Sequence, residues 1–361
     1  MNRVISLDLL RGLAAFLVAI THFFTYHALQ PAIFETVSVL GVELFFVLSG
    51  FVLAGQILYC LESGNLKTLK IFLIRRWMRT VPAYLVALLA VSLLFHKAFS
   101  EDFFKYALYV QNLFYNSLSD DYYPVAWSLS IEEWFYVLFP LFLILFIRYT
   151  TFLTKQNIWV AVAVFLAIVF CIRVLFGNLD DWGLQVRRCV VFRIDSIAFG
   201  FLLFLIKDRL PWVASGPVPR FAVLGLVAAI AFAVTYAIGV GDDRAMEYVF
   251  PYTAALLGMT AIWSVLSLER LLVRSPILKE VCLFAGRISY SVYLFHLLLL
   301  LTIGSSQLSW AFQLLLYALS MVLFSAVFFR FFESPILAGR PNYPAIAGDA
   351  HALSPIRTAY R

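Results

Sequence analysis

Ten apolar runs divide the sequence, near residues 7–28, 38–59, 80–96, 132–153, 157–176, 189–206, 221–240, 249–267, 289–304 and 309–331. A helix needs about 20 apolar residues to cross a bilayer, so a chain of 361 residues cut up in this way has room for little else. Hydrophobic residues make up 63% of it and charged ones only 13%, with a mean hydropathy of +0.91. The expected fold class is all-α: a polytopic membrane helical bundle of about ten transmembrane helices, with no large soluble domain.

Charge sets the orientation. Lys67, Lys70, Arg75, Arg76 and Arg79, then Arg148 and Lys155, then Lys207, Arg209 and Arg220, then Arg270, Arg274, Lys279 and Arg287 fall in alternate connections. By the positive-inside rule these connections are cytoplasmic, and with ten spans both termini join them. The opposite connections hold acids instead, such as Asp120 and Asp121. The net charge of +6 is thereby accounted for, and no nucleic-acid partner is expected. Cys60, Cys171, Cys189 and Cys282 show no metal-ligand spacing, so neither a metal nor a disulfide framework is expected. The stretch from 97 to 131 is aromatic and interrupted by polar residues, so it reads as interfacial or partly re-entrant. Residues after Phe332 read as a loosely ordered tail.

Ionisable residues inside the runs are the candidates for function, because lipid penalises them. In the first run, DLLRGLAAFLVAITHFFTYH, eleven steps separate Arg11 from His22. At 100° per residue they share a helix face to within about 20°, roughly 16 Å apart along the axis. A permanent cation suits binding an anion, and an imidazole suits moving a proton. Arg11 as a snorkelling anchor and His22 as a packing residue also fit, and His27, on another face, reads as interfacial packing. Glu43 in the second run needs a partner or a wet cavity, whereas Ser49 and Gly50 also fit close helix packing. Arg75, Arg76 and Arg79 bunch at the mouth of the third run, where Arg76 and Arg79 share a face and suit a phosphate, of a substrate or of membrane lipids. Glu132 and Glu133 fall at the outer edge of the fourth run, as a proton acceptor, a clamp for a sugar hydroxyl, or solvated helix-start acids; Trp127, Trp134 and Tyr136 are ordinary interfacial anchors.

Taken in order, LDLLRGLAAFLVAITH, ELFFVLSGF, RRWMR, WSLSIEEWFY, FRIDSIAFG and ISYSVYLFH resemble the acyltransferase-3 family of membrane proteins, over about residues 4–335. The resemblance implies a membrane acyltransferase domain over 1–335, followed by a short cytoplasmic tail over 336–361. It implies essential roles for Arg11 and His22, an acyl-CoA co-substrate, acetyl-CoA foremost, held by Arg76 and Arg79 beside Arg75, and site roles for Trp127, Ser128, Glu132 and Tyr136. Glu43 stands where the family pattern has Asp; Arg193 and Asp195 match a later motif and are expected to bind substrate with Trp127, Ser128 and Tyr136, and His296 matches the last motif. Longer relatives carry an esterase-like domain after the last helix, so a chain ending soon after Arg330 is expected to act alone or with a separate partner.

The expected function is a plasma-membrane O-acyltransferase. His22 serves as general base, oriented by Glu43 or Glu132, on a hydroxyl of a surface glycan or lipid-linked sugar. An acyl-histidine intermediate stays open. Without the resemblance, the same residues fit a proton-coupled transporter or lipid-linked glycan flippase equally well, and a structural membrane protein remains a third reading.

Overall fold

The computed structural model describes residues 3–29, 31–150, 155–177, 182–207 and 248–343, together with residues 225, 229, 230 and 232. The described residues contain helices and no strand. In chain order the helices are α1 (Ile5–Tyr26), α2 (Pro31–Ser63), α3 (Leu66–Leu94), α4 (Glu101–Ala107), α5 (Ala126–Tyr149), α6 (Lys155–Phe176), α7 (Val190–Arg193), α8 (Asp195–Ile206), α9 (Phe250–Ser267), α10 (Glu269–Arg274), α11 (Pro276–Gly304), α12 (Trp310–Phe328) and α13 (Ser334–Ala338). Eight segments among them are long and apolar enough to cross a membrane: α1, α2, α3, α5, α6, α9 with α10, α11, and α12 with α13. The protein is a multi-pass helical membrane bundle.

Several helices overrun the hydropathy runs. At 1.5 Å per residue, α2 with 33 residues is about 50 Å long and α3 and α11 with 29 are about 44 Å, against about 30 Å of hydrocarbon. Two displacements follow. Helix α3 starts fourteen residues before the expected span, capped by the Asn65 side chain accepting from Lys67 N at 2.9 Å, so Arg75, Arg76 and Arg79 ride on helix and not in a loop. Helix α5 starts at Ala126, which carries Glu132 nearly two turns inward from the outer edge where the hydropathy placed it. The region 97–125 contains the short α4 and no spanning helix, and it turns back so that Gln111 and Asn112 are buried against the start of α5.

The expected span at 189–206 is broken into α7 and α8 at Ile194. Arg173 on α6 donates to the Phe192 carbonyl from Nε at 3.0 Å and Nη2 at 2.5 Å. With that carbonyl engaged sideways, the helical ladder is interrupted there. The expected span at 221–240 lies outside the described residues, apart from the four named above. Residues 336–343 of the expected loose tail are held in place: Arg75 Nη1 donates to the Pro341 carbonyl at 2.5 Å, and Tyr343 Oη to Gln56 Oε1 at 3.1 Å.

At the centre, α1 lies between α2 and α11, and α8 lies on α2 with backbone nearly touching backbone. A Cβ at Gly50 would run into the Ile197 carbonyl, and one at Gly200 into the Val47 carbonyl, so two glycines set this crossing. For Gly50, the close-packing reading holds. Gly50→Ala and Gly200→Ala are each expected to force α2 and α8 apart at a cost of about 1–3 kcal/mol or more. Thermal unfolding in detergent measures it; an unchanged midpoint for both contradicts the crossing.

Candidate active site

Two connected spaces run into the bundle from the end that carries the start of α1. The wider, of about 540 Å³, is a mouth ringed by Arg3, Lys207, Arg287 and Arg340, with Asp8 as its acid. Asp8 is engaged: Arg3 donates to it at 2.5 and 3.0 Å, and Arg11 Nη1 stands 3.6 Å away. Burial, then the charges of Arg79, Arg76 and Arg75, push the Arg340 pKa down to about 10. A mouth with this surplus of cations attracts an anion. Arg11, Arg79 and Val52 line both spaces and form the neck between them.

Past the neck lies a cavity of about 90 Å³ lined by Ser49, Arg76, Ser128, Glu132, Tyr136 and Tyr293, among others. Its polar wall is a relay from α2 to α5. Tyr136 Oη donates to Glu132 Oε2 at 2.9 Å, which leaves the Tyr136 oxygen to accept from Ser49 Oγ at 3.0 Å. At the same cavity Ser128 Oγ and Tyr293 Oη lie 2.5 Å apart. Arg76 is steadied by Gln56 Oε1 at 3.0 Å. The expected anion-binding arginines Arg11, Arg76 and Arg79 are therefore brought together with Glu132, Tyr136 and Ser128. Arg75 is directed away, over the Tyr343 ring at 5.0 Å.

Tyr293 leads on to the histidines. Its carbonyl accepts from His296 Nδ1 at 2.7 Å, and His296 Nε2 lies 3.1 Å from His22 Nδ1, with the rings stacked at 5.1 Å. A carbonyl only accepts, so His296 carries its proton on Nδ1 and offers the lone pair of Nε2. With both rings neutral, His22 then carries its proton on Nδ1. The lone pair of His22 Nε2 is left facing Ser38 Oγ at 3.4 Å. His296 is fully buried, while His22 keeps part of its surface open. Through its contact with Nδ1, His296 can hold the His22 ring in one tautomer. The sequence offered the motif histidine, but not that it meets His22.

The carboxylates expected to orient His22 have other partners. Glu43 Oε1 accepts from Arg193 Nη2 at 2.6 Å, with both side chains fully buried, and Arg193 also donates to Ser196 Oγ. Asp195 pairs with Arg173 at 2.7 Å, also fully buried. Arg193 and Asp195 are two residues apart and so point to opposite sides of the chain; neither lines the cavity. Trp127 lies beside Ser128 but packs edge-on to Phe46 and under Arg187 at 5.2 Å.

The model of the acyltransferase-3 family, described as an acyltransferase domain, matches residues 4–330. Among curated proteins, the chain is 25% identical over 383 residues to "Putative O-acetyltransferase SACOL0978" of Staphylococcus aureus strain COL, covering 95% of this chain and 60% of that one. It is 25% identical over 330 residues to "O-acetyltransferase OatA" of S. aureus strain NCTC 8325, covering 82% of this chain and 52% of that one. The chain thus spans little more than half the length of these relatives. No solved structure matches it.

Removing one partner of a fully buried ion pair leaves an uncompensated charge, at a cost of about 3–5 kcal/mol. Glu43→Gln and Arg193→Met are each expected to lower stability by about that much, and the double variant to recover part of it. Unfolding midpoints of the four proteins measure the coupling; additive losses contradict a structural pair.

Proposed function

The chain belongs to the acyltransferase-3 family, and on that premise we propose that it is an O-acyltransferase moving a small acyl group, acetyl foremost, from acyl-CoA to a hydroxyl of a glycan or lipid-linked sugar. The observations that support this reading are the basic mouth joined to the inner cavity at the neck of Arg11 and Arg79, and the His296–His22 pair, which lines neither space but stands behind the cavity's Tyr293 wall. The donor's phosphates sit among the arginines of the mouth, which is the cytoplasmic end of the bundle in the plasma membrane. Its thin arm threads the neck. The inner cavity of about 90 Å³ is far smaller than the roughly 300–1,000 Å³ of a pocket that buries a whole ligand, which supports a thioester end carrying a short acyl chain.

The acceptor hydroxyl comes from the opposite end and takes the position Ser38 Oγ occupies against His22 Nε2. His22 Nε2 takes the hydroxyl proton as the oxygen attacks the thioester carbonyl. The carbon–sulfur bond then breaks, and the departing thiolate takes that proton from His22, leaving an ester and free coenzyme A. While His22 holds the extra proton, His296 Nε2 accepts from Nδ1 and shares the charge. That is the part the sequence reading gave to Glu43 or Glu132. Glu132, held by Tyr136 among Arg11, Arg76 and Arg79, instead balances charge along the donor's path.

General base catalysis contributes roughly 10²–10⁴-fold. Supplied with labelled acetyl-CoA, membranes carrying His22→Ala are expected to lose alkali-labile label by that factor at equal protein level. His296→Gln is expected to lose it by about tenfold or more with KM for acetyl-CoA unchanged, whereas Arg79→Gln raises that KM. Label equal in wild type and His22→Ala contradicts the reading, as does proton-coupled sugar flux with no label in either.

A further inference from the structure

Residues 182–191 lie beside the end of the bundle that holds His22. Asn112 fastens this segment down: its Nδ2 donates to the Arg188 carbonyl at 2.5 Å and to the Trp127 carbonyl at 3.0 Å, and its backbone carbonyl accepts from Val190 N at 2.9 Å. Trp182 packs against the cluster of Val39, Phe250 and Ala254, edge-on to Phe250; Val39 neighbours Ser38, which faces His22. The charges of Arg187 and Arg188 reach His22 from this segment.

Arg187 has an unusual environment. Only 6% of it is exposed, and its guanidinium lies over the rings of Trp127 at 5.2 Å and Trp182 at 5.6 Å. Among the described residues it makes no ion pair and no side-chain hydrogen bond. Among the described residues, acids that act on it include Glu43, which is engaged by Arg193, and Glu35. Burial, then repulsion by Arg188 and Arg193, brings the Arg187 pKa down to about 9. The side chain stays charged near neutrality. Two more unused donors lie in the segment: Trp182 Nε1 and Arg188 Nε are buried without a partner, although Arg188 Nη1 holds Asp121 at 3.1 Å.

A buried cation and two orphan N–H groups, with no acceptor left over among the three, are costly to hold empty and complementary to an oxyanion. We propose that Arg187, with Trp182 and Arg188, binds a carboxylate or phosphate on the acceptor, so that the protein selects anionic sugars and holds their hydroxyl beside His22. The indoles fix the guanidinium plane, which gives the fork one direction. The proposal rests on the acyltransferase reading, because only there does His22 need an acceptor.

The test uses the full chain in nanodiscs of zwitterionic lipid, with three probes: methyl glucuronide, glucose 1-phosphate and neutral methyl glucoside. Calorimetry is expected to give at least one anionic probe about tenfold tighter binding than methyl glucoside, a preference of about 1.4 kcal/mol, falling with rising salt. A preference for the carboxylate points to an acidic sugar and one for the phosphate to a phosphorylated carrier. Arg187→Gln is expected to abolish the preference, while Arg187→Lys keeps part of it. If Arg187→Gln does not fold, Arg188→Gln and the salt titration decide. Equal binding of all three probes to wild type, or a preference that survives Arg187→Gln, overturns the proposal. Acetyl transfer from labelled acetyl-CoA, followed in the same samples, separates the two readings. Anionic preference without transfer defeats the acyltransferase and keeps the anion site; transfer without anionic preference does the reverse.

Discussion

Charge held inside a low-dielectric bundle is the constraint on which this structure is arranged. Arg193 with Glu43 and Arg173 with Asp195 are fully buried pairs, and each removes two charges from an environment that will not hold one alone. Together they tie three parts of the fold: α2 through Glu43, α6 through Arg173, and the break between α7 and α8 through Arg193 and Asp195. That break lets residues 182–191 turn beside the end of the bundle, while α8 runs against α2 at Gly50 and Gly200. The geometry around His22 depends on both, since Ser38 lies on α2 and Arg187 on the segment that the break releases.

With those charges paired, the remaining ones are distributed by use. In the lining of the mouth where α1 begins, Arg11, Arg79, Arg287 and Arg340 outnumber Asp8. At the other end Arg187 lies over two indoles and, among the described residues, makes no ion pair. Between them the polar groups are few and ordered into chains, Ser49 to Tyr136 to Glu132 and Tyr293 to His296 to His22. In the proposed reaction, an anion site at each end with a proton acceptor between them would join a donor from one side to an acceptor from the other.

Much of this was legible in the residues. The eleven-residue spacing placed Arg11 and His22 on one face of α1, and the spacing of Arg76 and Arg79 brought them to one space. What the sequence left out was partnership across long separations. His296 lies 274 residues from His22, and Glu43 lies 150 from Arg193; periodicity carries no information on which helix a polar face meets. Glu132 was misplaced for a different reason. Hydropathy reports the lipid-facing stretch, whereas α5 begins earlier, with polar residues whose hydrogen bonds go to Tyr293, Gln111 and the helix itself. The overrun of α3 has the same origin, because its arginines lower the hydropathy without ending the helix.

The measurement that tests the account most directly is the sidedness of transfer. The protein would be reconstituted into sealed vesicles carrying a sugar acceptor in the lumen, with labelled acetyl-CoA added only outside and the orientation of the chain read by a tag at its N-terminus. The account predicts acetylated sugar in the lumen from molecules whose N-terminus faces outward, in proportion to their number. Transfer only when donor and acceptor share one compartment would contradict a route running through the bundle to His22.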